Sequence, residues 1–318
     1  MKPILPGAPW LIAHKSMLGV NKPNKITLNG KDYVLWQNQK GEVFALNNIC
    51  PHMQAPLSEG WVCQERNTIT CPFHALEFDR NGRLYKEEKV DTKPLTQSLE
   101  LIVKDDCIWT YGGFEPRLPI SEDLISKISS EYDFIGVTET KIIRGEFLNF
   151  LLTSYDFNHQ KGLHRDSFAI VGNKISNFQE NGYYPSLDQE FTIARHSLAD
   201  IIKYPAVLTM PKILKLRLEY CFPSVTVVFG KLSIGNLVQV FLVYPENEHQ
   251  SKAFAILFAN FKYGMTKFLL KDSLLKATEK IIEQDTNIIE NSYPREKPKI
   301  RLPNEEIMFY AEKLYREW

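Results

Sequence analysis

The stretch CPHMQAPLSEGWVCQERNTITCPFH, residues 50–74, contains two pairs that each combine a cysteine with a histidine. Cys50 and His52 form a Cys-x-His pair, Cys71 and His74 form a Cys-x-x-His pair, and a proline follows each cysteine. The whole chain has only 5 cysteines and 7 histidines, so such pairing rarely arises by chance. Thiolates and imidazoles at this spacing are ligands for tetrahedral zinc or for an iron–sulfur cluster. The chain is therefore expected to fold around two facing loops that share a metal group.

Each pair contributes one cysteine and one histidine. Zinc sites usually take their ligands from a short knuckle of like residues, whereas a two-iron cluster with Cys₂ on one iron and His₂ on the other suits mixed loops. The spacing favours the iron–sulfur interpretation, with zinc as the alternative. The remaining cysteines have no partner at ligand spacing and are expected to be small buried residues: Cys63, Cys107 and Cys221.

Short hairpins are predicted in the first third of the chain, on both sides of the ligand pairs. Each combines alternating apolar residues with a glycine-containing turn. The turns are Asn29-Gly30, Lys40-Gly41 and Asn81-Gly82. This part of the chain is expected to be all-β.

The pattern changes after the segment IWTYGGFEPRLPISED, so a domain boundary is predicted near residue 115. Strand-like runs follow, with a helix-like segment at about 145–160 and a long amphipathic helix at about 266–291. The predicted domains are 1–115 and 116–318, in an α+β chain.

Composition limits the classes of partner. The 38 basic and 38 acidic residues leave no net charge, which gives no support for binding to nucleic acid or to an anionic membrane. The N-terminus lacks the apolar core of a signal peptide, and no apolar run is long enough to span a bilayer. An odd number of cysteines is not a disulfide framework. A cytoplasmic protein without nucleic-acid or membrane partners is expected.

A second candidate metal site lies in LLTSYDFNHQKGLHRDSF. Asp156 and His159 are three residues apart, so on one helical face the carboxylate would orient the imidazole. His159 and His164 are about 140° apart on a helix and reach one ion only if the helix loosens or ends between them. Gly162 is the expected place for that break.

Two imidazoles need an anionic partner to complete the 2-His-1-carboxylate site of non-heme Fe(II) oxygenases. The long helix offers four acids: Glu279, Glu283, Asp285 and Glu290. At about 100° per residue the glutamates cluster on the polar arc, whereas Asp285 falls within the apolar arc. A carboxylate on a buried face is costly unless it is paired or metal-bound, so Asp285 is the predicted ligand. A buried aspartate that caps the backbone or pairs with an arginine is the alternative.

The two motif sets together resemble a known family. The Cys-Pro-His and Cys-Pro-Phe-His loops look like a Rieske [2Fe–2S] domain of the oxygenase and ferredoxin type, because Ala55 and Phe73 stand where respiratory Rieske domains have disulfide cysteines. Asp-x₂-His-x₄-His, followed about 120 residues later by Asp-x₄-Glu, resembles the α subunit of Rieske non-heme iron oxygenases, the aromatic ring-hydroxylating and vanillate-demethylase-like enzymes.

The resemblance implies which residues bind each metal centre and which fold the second domain adopts. One cluster iron would be bound by Cys50 and Cys71, the other by His52 and His74, and the mononuclear iron by His159, His164 and Asp285. The catalytic domain would be a helix-grip (START-like) fold, an antiparallel sheet wrapped on the long C-terminal helix.

The resemblance also implies a role for Asp156. The acid at this place in the family bridges a cluster histidine of one subunit, here His74, to an iron-ligand histidine of the next, here His159. A head-to-tail homotrimer follows.

The activity implied is that of a terminal oxygenase, which uses O₂ at Fe(II) to hydroxylate or O/N-demethylate a small apolar or aromatic substrate. The chain has no dinucleotide fingerprint, so electrons from NAD(P)H would arrive through a separate flavin reductase, a ferredoxin or both. The alternatives are a Rieske electron-transfer protein with an inactive second site and a zinc-dependent scaffold.

Two local features depart from the family pattern. Leu152 replaces an asparagine found in many relatives, and Ala75-Leu76 replaces Gly-Trp after the second cluster histidine. The substrate is not defined by the motifs. Five phenylalanines are candidates for pocket or core positions: Phe168, Phe191, Phe222, Phe229 and Phe241.

Overall fold

The computed structural model describes residues 2–86, 89–296 and 298–318. The chain forms two compact units. One contains the residues up to Ile120 together with Tyr244–Glu248, and the other contains Ser121–Val243 and His249–Trp318. The main boundary between the units therefore lies at 120/121, against the predicted 115/116.

The first unit is built of short strands that form three small sheets, in the orders β1-β11-β10, β2-β3-β4 and β5-β6-β7-β8-β9. The strands are β1 (Trp10–His14), β2 (Asn24–Leu28), β3 (Lys31–Gln37), β4 (Val43–Asn47), β5 (Trp61–Cys63), β6 (Thr68–Thr70), β7 (Glu77–Phe78), β8 (Arg83–Lys86), β9 (Lys89–Pro94), β10 (Ile102–Lys104) and β11 (Cys107–Thr110). Two 3-10 turns, Lys15–Met17 and Leu57–Glu59, connect them.

The predicted hairpins are confirmed. Asn29 and Gly30 join β2 to β3 with φ of 50° and 78°, the two positive values that a type I′ turn requires. Gly82 lies between β7 and β8, and a Cβ there would meet the carbonyl oxygen of Thr96 at 1.9 Å. Glycine at this turn is therefore required by space as well as by backbone conformation.

The ligand-bearing loops emerge from the middle of this β structure. One loop follows β4 and the other follows β6, so each leaves a paired strand. Both cysteines belong to the same buried cluster, which consists of Val34, Trp36, Leu46, Cys50, Leu57, Val62, Ile69, Cys71 and Phe78. The core of the unit thus anchors the base of each loop.

The second unit combines one large sheet with helices. The strands are β12 (Asp133–Val137), β13 (Lys141–Arg144), β14 (Ile170–Gln179), β15 (Ser186–Ile193), β16 (Ile213–Cys221), β17 (Val225–Leu232), β18 (Gly235–Asn247) and β19 (Gln250–Phe261). The helices are α1 (Glu122–Glu131), α2 (Phe147–Tyr155), α3 (Gln160–Leu163), α4 (Arg165–Phe168), α5 (Leu198–Lys203), α6 (Gly264–Asn291) and α7 (Glu305–Arg316), with a 3-10 turn at Pro205–Thr209.

The sheet is antiparallel, in the order β12-β19-β18-β17-β16-β15-β14, and β13 pairs with β19. Helix α6 packs against β12, β13 and β19. Its buried positions recur every three or four residues and form one stripe: Leu274, Thr278, Ile282, Thr286 and Ile289. This arrangement confirms the predicted α+β chain, with an all-β first part and a sheet that grips a long helix.

Helix α6 extends over 28 residues but carries charged side chains along its exposed face. Among the described residues, no helix is both long enough and apolar enough to cross a membrane.

Candidate metal centres

The two Cys-Pro loops share one backbone geometry. In each loop the cysteine N–H donates to the carbonyl five residues later, and the cysteine carbonyl accepts from the N–H four residues later. The distances are 2.9 and 3.0 Å around Cys50, and 2.8 and 3.1 Å around Cys71. The loops are therefore equivalent in their hydrogen bonds, although their ligand spacings differ by one residue.

Each loop closes through a left-handed residue. Gln54 has φ of 56° and Ala75 has φ of 53°. This conformation costs an L-residue roughly 1–2 kcal/mol relative to glycine. A glycine at this position, as in many members of the resembled family, avoids that cost because it has no Cβ. Ala75 adopts the same conformation with backbone strain.

The four predicted ligand side chains of these loops differ in burial. Cys50 and Cys71 are each 1% exposed, whereas His52 and His74 lie exposed near the loop tips with ring centroids 4.7 Å apart. Burial raises the pKa of the Cys50 thiol, and the side chain of Cys71 raises it further. Two buried thiols and two outward imidazoles fit a group that takes thiolates on its inner side and histidines on its outer side.

A single zinc ion fits these loops less well. A tetrahedral site brings all four ligand atoms within about 4 Å of one another. In the described part of the chain no three of these four ligand atoms lie within 4.8 Å of one another. That separation favours a two-iron cluster over the zinc alternative.

A second group of ligands converges in the other unit. His159 begins α3, His164 separates α3 from α4, and Asp285 lies on α6. Asp285 Oδ1 lies 3.5 Å from His159 Nε2 and 3.3 Å from His164 Nε2, and one ligand atom from each residue lies within 4.8 Å of the other two.

These contacts are not hydrogen bonds. Asp285 Oδ1 is buried without a hydrogen-bond partner among the described residues, and so is His159 Nδ1. Burial lowers the pKa of His159 by more than the Asp285 carboxylate raises it, so the imidazole is held in its neutral, ligating form. Two imidazoles and one carboxylate with an unpartnered oxygen are the donor set that suits a non-heme ferrous ion.

The other acids of α6 have different partners. Glu279 accepts the N–H of Glu139 at 2.9 Å, and Glu290 accepts the N–H of Arg144 at 2.8 Å. Glu283 is exposed and pairs with Lys280 at 3.2 Å. Asp285 is therefore the acid, among the four considered, whose carboxylate faces both imidazoles.

Gln284 holds one imidazole in place and was missed in the sequence. Its Oε1 lies 3.1 Å from His164 Nδ1, and its Nε2 donates to the carbonyl of Leu163 at 2.9 Å. Because a carbonyl only accepts, the amide oxygen must face His164, so Nδ1 carries the proton and the Nε2 lone pair faces Asp285. Gln284 lies about 100° from Asp285 around the helix axis, so the periodicity of the sequence does not predict that both side chains reach His164.

Replacing Gln284 with leucine is expected to weaken Fe(II) binding by about 10- to 100-fold, because the ring loses the acceptor that fixes its tautomer and orientation. Metal titration of the apoprotein under anaerobic conditions measures the effect. Gln284→Glu keeps an acceptor at the same place and should retain most of the affinity. Equal affinities in wild type and Gln284→Leu would contradict the positioning role.

The common helical face predicted for Asp156 and His159 does not exist. Helix α2 ends at Tyr155, and Asp156 Oδ1 accepts the N–H of Asn158 at 2.8 Å in the following turn. The carboxylate therefore fixes its own loop and makes no hydrogen bond to His159 Nδ1.

The break between the two histidines is also not where it was predicted. Gly162 lies inside α3, and its position leaves open space for a Cβ. The chain instead leaves helical geometry at His164, which has φ of −98° and ψ of 3°. A four-residue helix flanked by its two histidines thus turns both rings toward α6.

The cysteines outside the ligand pairs differ in burial. Cys107 and Cys221 are buried as expected, and burial raises the pKa of their thiols to about 12 and about 11. The expectation of burial was wrong for Cys63, which is partly exposed on β5. None of these thiols lies in a three-ligand group among the described residues.

A cavity of about 240 Å³ opens beside the second centre. His159, His164 and Asp285 all line this cavity. The rest of its wall is formed by the concave face of the sheet, α2, the 3-10 turn at Pro205–Thr209 and α6. Of the five candidate phenylalanines, Phe168, Phe191 and Phe241 line it. Phe229 lies in a different groove, and Phe222 packs against Tyr183.

Comparison with known proteins supports both halves of this description. The family model described as "Rieske [2Fe-2S] domain" matches residues 9–100. The chain is 31% identical over 113 residues to "Dicamba O-demethylase, oxygenase component" of Stenotrophomonas maltophilia, an alignment covering 34% of this chain and 32% of that protein. It is 41% identical over 147 residues to "4beta-methylsterol monooxygenase" of Methylococcus capsulatus, covering 43% and 38%. The matches thus span about a third of the length of these two relatives.

The similarity in fold extends over the whole chain. The crystal structure of dicamba monooxygenase bound to dicamba superposes with a TM-score of 0.75, covering 99% of each chain at 17% sequence identity. At that identity the superposition establishes the fold alone. The chain therefore matches a Rieske [2Fe–2S] domain over residues 9–100, has the fold of dicamba monooxygenase throughout, and carries a His-His-Asp triad in its second unit.

Proposed function

We propose that this chain is the terminal oxygenase of a multicomponent system, which hydroxylates or O/N-demethylates a small apolar or aromatic substrate with O₂. The observation that carries the proposal is the triad His159, His164 and Asp285 in the wall of a mostly apolar cavity. A metal site that opens into a cavity suits a reaction on a bound organic molecule better than electron transfer alone. The names of the relatives, an O-demethylase and a methylsterol monooxygenase, support the same class of reaction.

The proposed ligand assignments follow the two geometries. Cys50 and Cys71 bind the inner iron of a [2Fe–2S] cluster, and His52 and His74 bind the outer iron. His159, His164 and Asp285 bind the mononuclear iron. A ferrous ion with these ligands supplies one-electron chemistry with O₂ when it is bound.

The side chains of this chain prepare that site in three ways. Burial keeps His159 neutral, so it binds a metal without first releasing a proton. Gln284 fixes the tautomer of His164. The apolar walls exclude bulk water from the position of the substrate, which limits side reactions of reactive oxygen species.

Electrons must come from another protein, because the chain lacks a dinucleotide fingerprint. A flavin reductase, with or without a ferredoxin, is the proposed partner. The exposed rings of His52 and His74 provide an accessible edge for transfer to and from the cluster.

The proposed route between the centres passes from one subunit to the next. Asp156, which lies three residues before His159, would accept a hydrogen bond from a cluster histidine of the neighbouring copy. This role requires a head-to-tail ring of subunits, and a homotrimer is the proposed assembly.

Replacing Asp156 with asparagine tests this proposal. The wild type is expected to contain about three irons and two acid-labile sulfides per chain and to consume O₂ with substrate once reduced. Asp156→Asn should keep both metals but lower the rate of cluster re-oxidation by about 10- to 100-fold, because the connecting carboxylate is lost. Stopped-flow absorbance of the reduced cluster measures this rate.

Glu146→Gln is the matched control, because Glu146 is the exposed N-cap of helix α2 and Asp156 is its C-cap; this variant should re-oxidise like wild type. Unchanged re-oxidation in Asp156→Asn would remove this residue from the electron route. Two irons and two sulfides in the wild type, with no O₂ uptake after addition of Fe(II), would favour the electron-transfer alternative.

A further inference from the structure

The cavity beside the triad is long. Its wall includes residues of α6 from Leu274 to Asp285, eleven helical steps that correspond to about 16 Å. The sheet also lines the cavity, through residues such as Leu216, Val228 and Leu237. The available shape is a channel that leads away from the triad along the helix axis.

The described residues that line the cavity carry no lysine or arginine side chain. The only carboxylate among them is Asp285 of the triad. Beyond the triad, where the proposed ferrous ion cannot reach it, a bound carboxylate, sulfonate or phosphate would therefore be buried without a counter-charge, which strongly opposes binding. The aliphatic and aromatic lining gives no compensating set of hydrogen-bond donors.

Most polar groups of the wall are already engaged with the protein. Four hydroxyls donate to main-chain carbonyls three or four residues earlier, namely those of Thr153, Ser154, Thr209 and Thr278. The amides of Gln189 and Gln239 donate to Asn173 and Thr278. Because their donor atoms are used within the protein, these groups are not available to bind a charged ligand.

The unpartnered polar atoms lie at one end. Among the described lining residues, the buried polar atoms without a hydrogen-bond partner are His159 Nδ1, Gln160 Oε1 and Asp285 Oδ1. The channel is therefore polar at the triad and apolar beyond it.

We infer that the substrate is an uncharged, elongated and mostly apolar molecule, up to about 16 Å long, which lies along α6 with the carbon to be oxidised at the triad end. This inference rests on the proposed function for the identity of the reacting end. The charge and length requirements rest on the channel alone. They exclude substrates that carry an anionic group into the cavity.

A matched pair of elongated probes tests the charge requirement. Decanoic acid and its methyl ester share one straight alkyl chain and differ at the carboxyl group. Equilibrium dialysis against the full chain without iron at the triad, so that no ferrous ion can bind the carboxylate, is expected to show the ester bound at least about 100-fold more tightly than the carboxylate at neutral pH. Equal binding of the two would overturn the inference, since it would require a counter-charge within the channel.

Ala277, eight residues before Asp285, tests the length requirement because it lines the channel about 12 Å from the triad. Ala277→Phe should weaken binding of the methyl ester at least about tenfold and leave naphthalene, which is short enough to remain near the triad, unchanged. Lys276→Phe adds the same ring at the exposed neighbouring position and should change neither.

Wild-type protein alone also decides the length question if Ala277→Phe does not fold. Methyl decanoate should bind more tightly than methyl butanoate, because it fills more of the apolar channel. The reverse order would overturn the elongated shape. These binding measurements need no turnover, whereas failure of the proposed oxygenase would appear in the iron, sulfide and O₂ measurements.

Discussion

Replacing Asp285 with asparagine is expected to remove the mononuclear iron and all oxygenase turnover while leaving the cluster spectrum intact. The change keeps the shape of the side chain but removes its negative charge, so the ferrous ion loses its anionic ligand. Removing a residue that only hydrogen-bonds to a metal ligand lowers metal affinity by about 10- to 100-fold. Removing the anionic ligand itself should lower Fe(II) affinity by more than about 100-fold. Iron and acid-labile sulfide per chain should fall from about 3:2 to about 2:2.

Glu283 offers a control on the same helix. It lies two residues before Asp285, is exposed and pairs with Lys280. Glu283→Gln removes the same charge outside the site and should leave both iron content and turnover at wild-type values. Retention of the third iron in Asp285→Asn would show that the carboxylate is not a ligand. It would support the alternative that Asp285 is a buried aspartate that caps the backbone or pairs with an arginine.

Replacing Cys71 with serine is expected to remove the [2Fe–2S] cluster, together with the visible colour and both sulfides. A serine hydroxyl is a poor substitute for a soft thiolate ligand. The exchange also places a hydroxyl in an apolar cluster where Cys71 is 1% exposed, so the first unit should lose stability as well. Absorbance between about 400 and 600 nm, acid-labile sulfide and thermal unfolding measure the three effects.

Cys63 provides the matched control for this substitution. It belongs to the same unit, eight positions before Cys71, but is partly exposed and lies outside the proposed ligand set. Cys63→Ser should keep the colour and the sulfide. A chain that keeps its sulfide after Cys71→Ser would require a different cysteine in the cluster.

The two substitutions should therefore separate the centres. Asp285→Asn affects a site in one compact unit, and Cys71→Ser affects a site in the other. Because each unit has its own core and its own ligands, the second iron should remain after loss of the cluster. A loss of both metals in either variant would show that the centres depend on one another for stability.

Local patterns predicted the first unit well. The Asn29-Gly30 and Asn81-Gly82 turns formed at the predicted places, because a tight hairpin depends on the conformation of two adjacent residues. The long helix also began and ended within two residues of its predicted bounds, Gly264–Asn291 against 266–291. Its periodicity was sufficient to separate Asp285 from the three glutamates.

Local patterns failed where a helix ended unexpectedly. The region around Asp156 was read as one helix, but α2 stops at Tyr155 and a separate short helix lies between His159 and His164. The carboxylate of Asp156 caps its own turn instead of the imidazole. Competition between side-chain caps and helix continuation is decided by packing, which spacing alone does not reveal.

The sequence by itself determined the types of ligand, their order along the chain and the hairpins that carry the first two pairs. These features depend on residue chemistry and on neighbours a few positions apart. Only the tertiary structure decided that a short separate helix lies between His159 and His164, that Gln284 fixes His164, and that a cavity without lysine or arginine among its described lining residues runs along α6. Those contacts arise when the sheet and the helix pack together, and packing joins residues whose separation in sequence leaves no periodic signal.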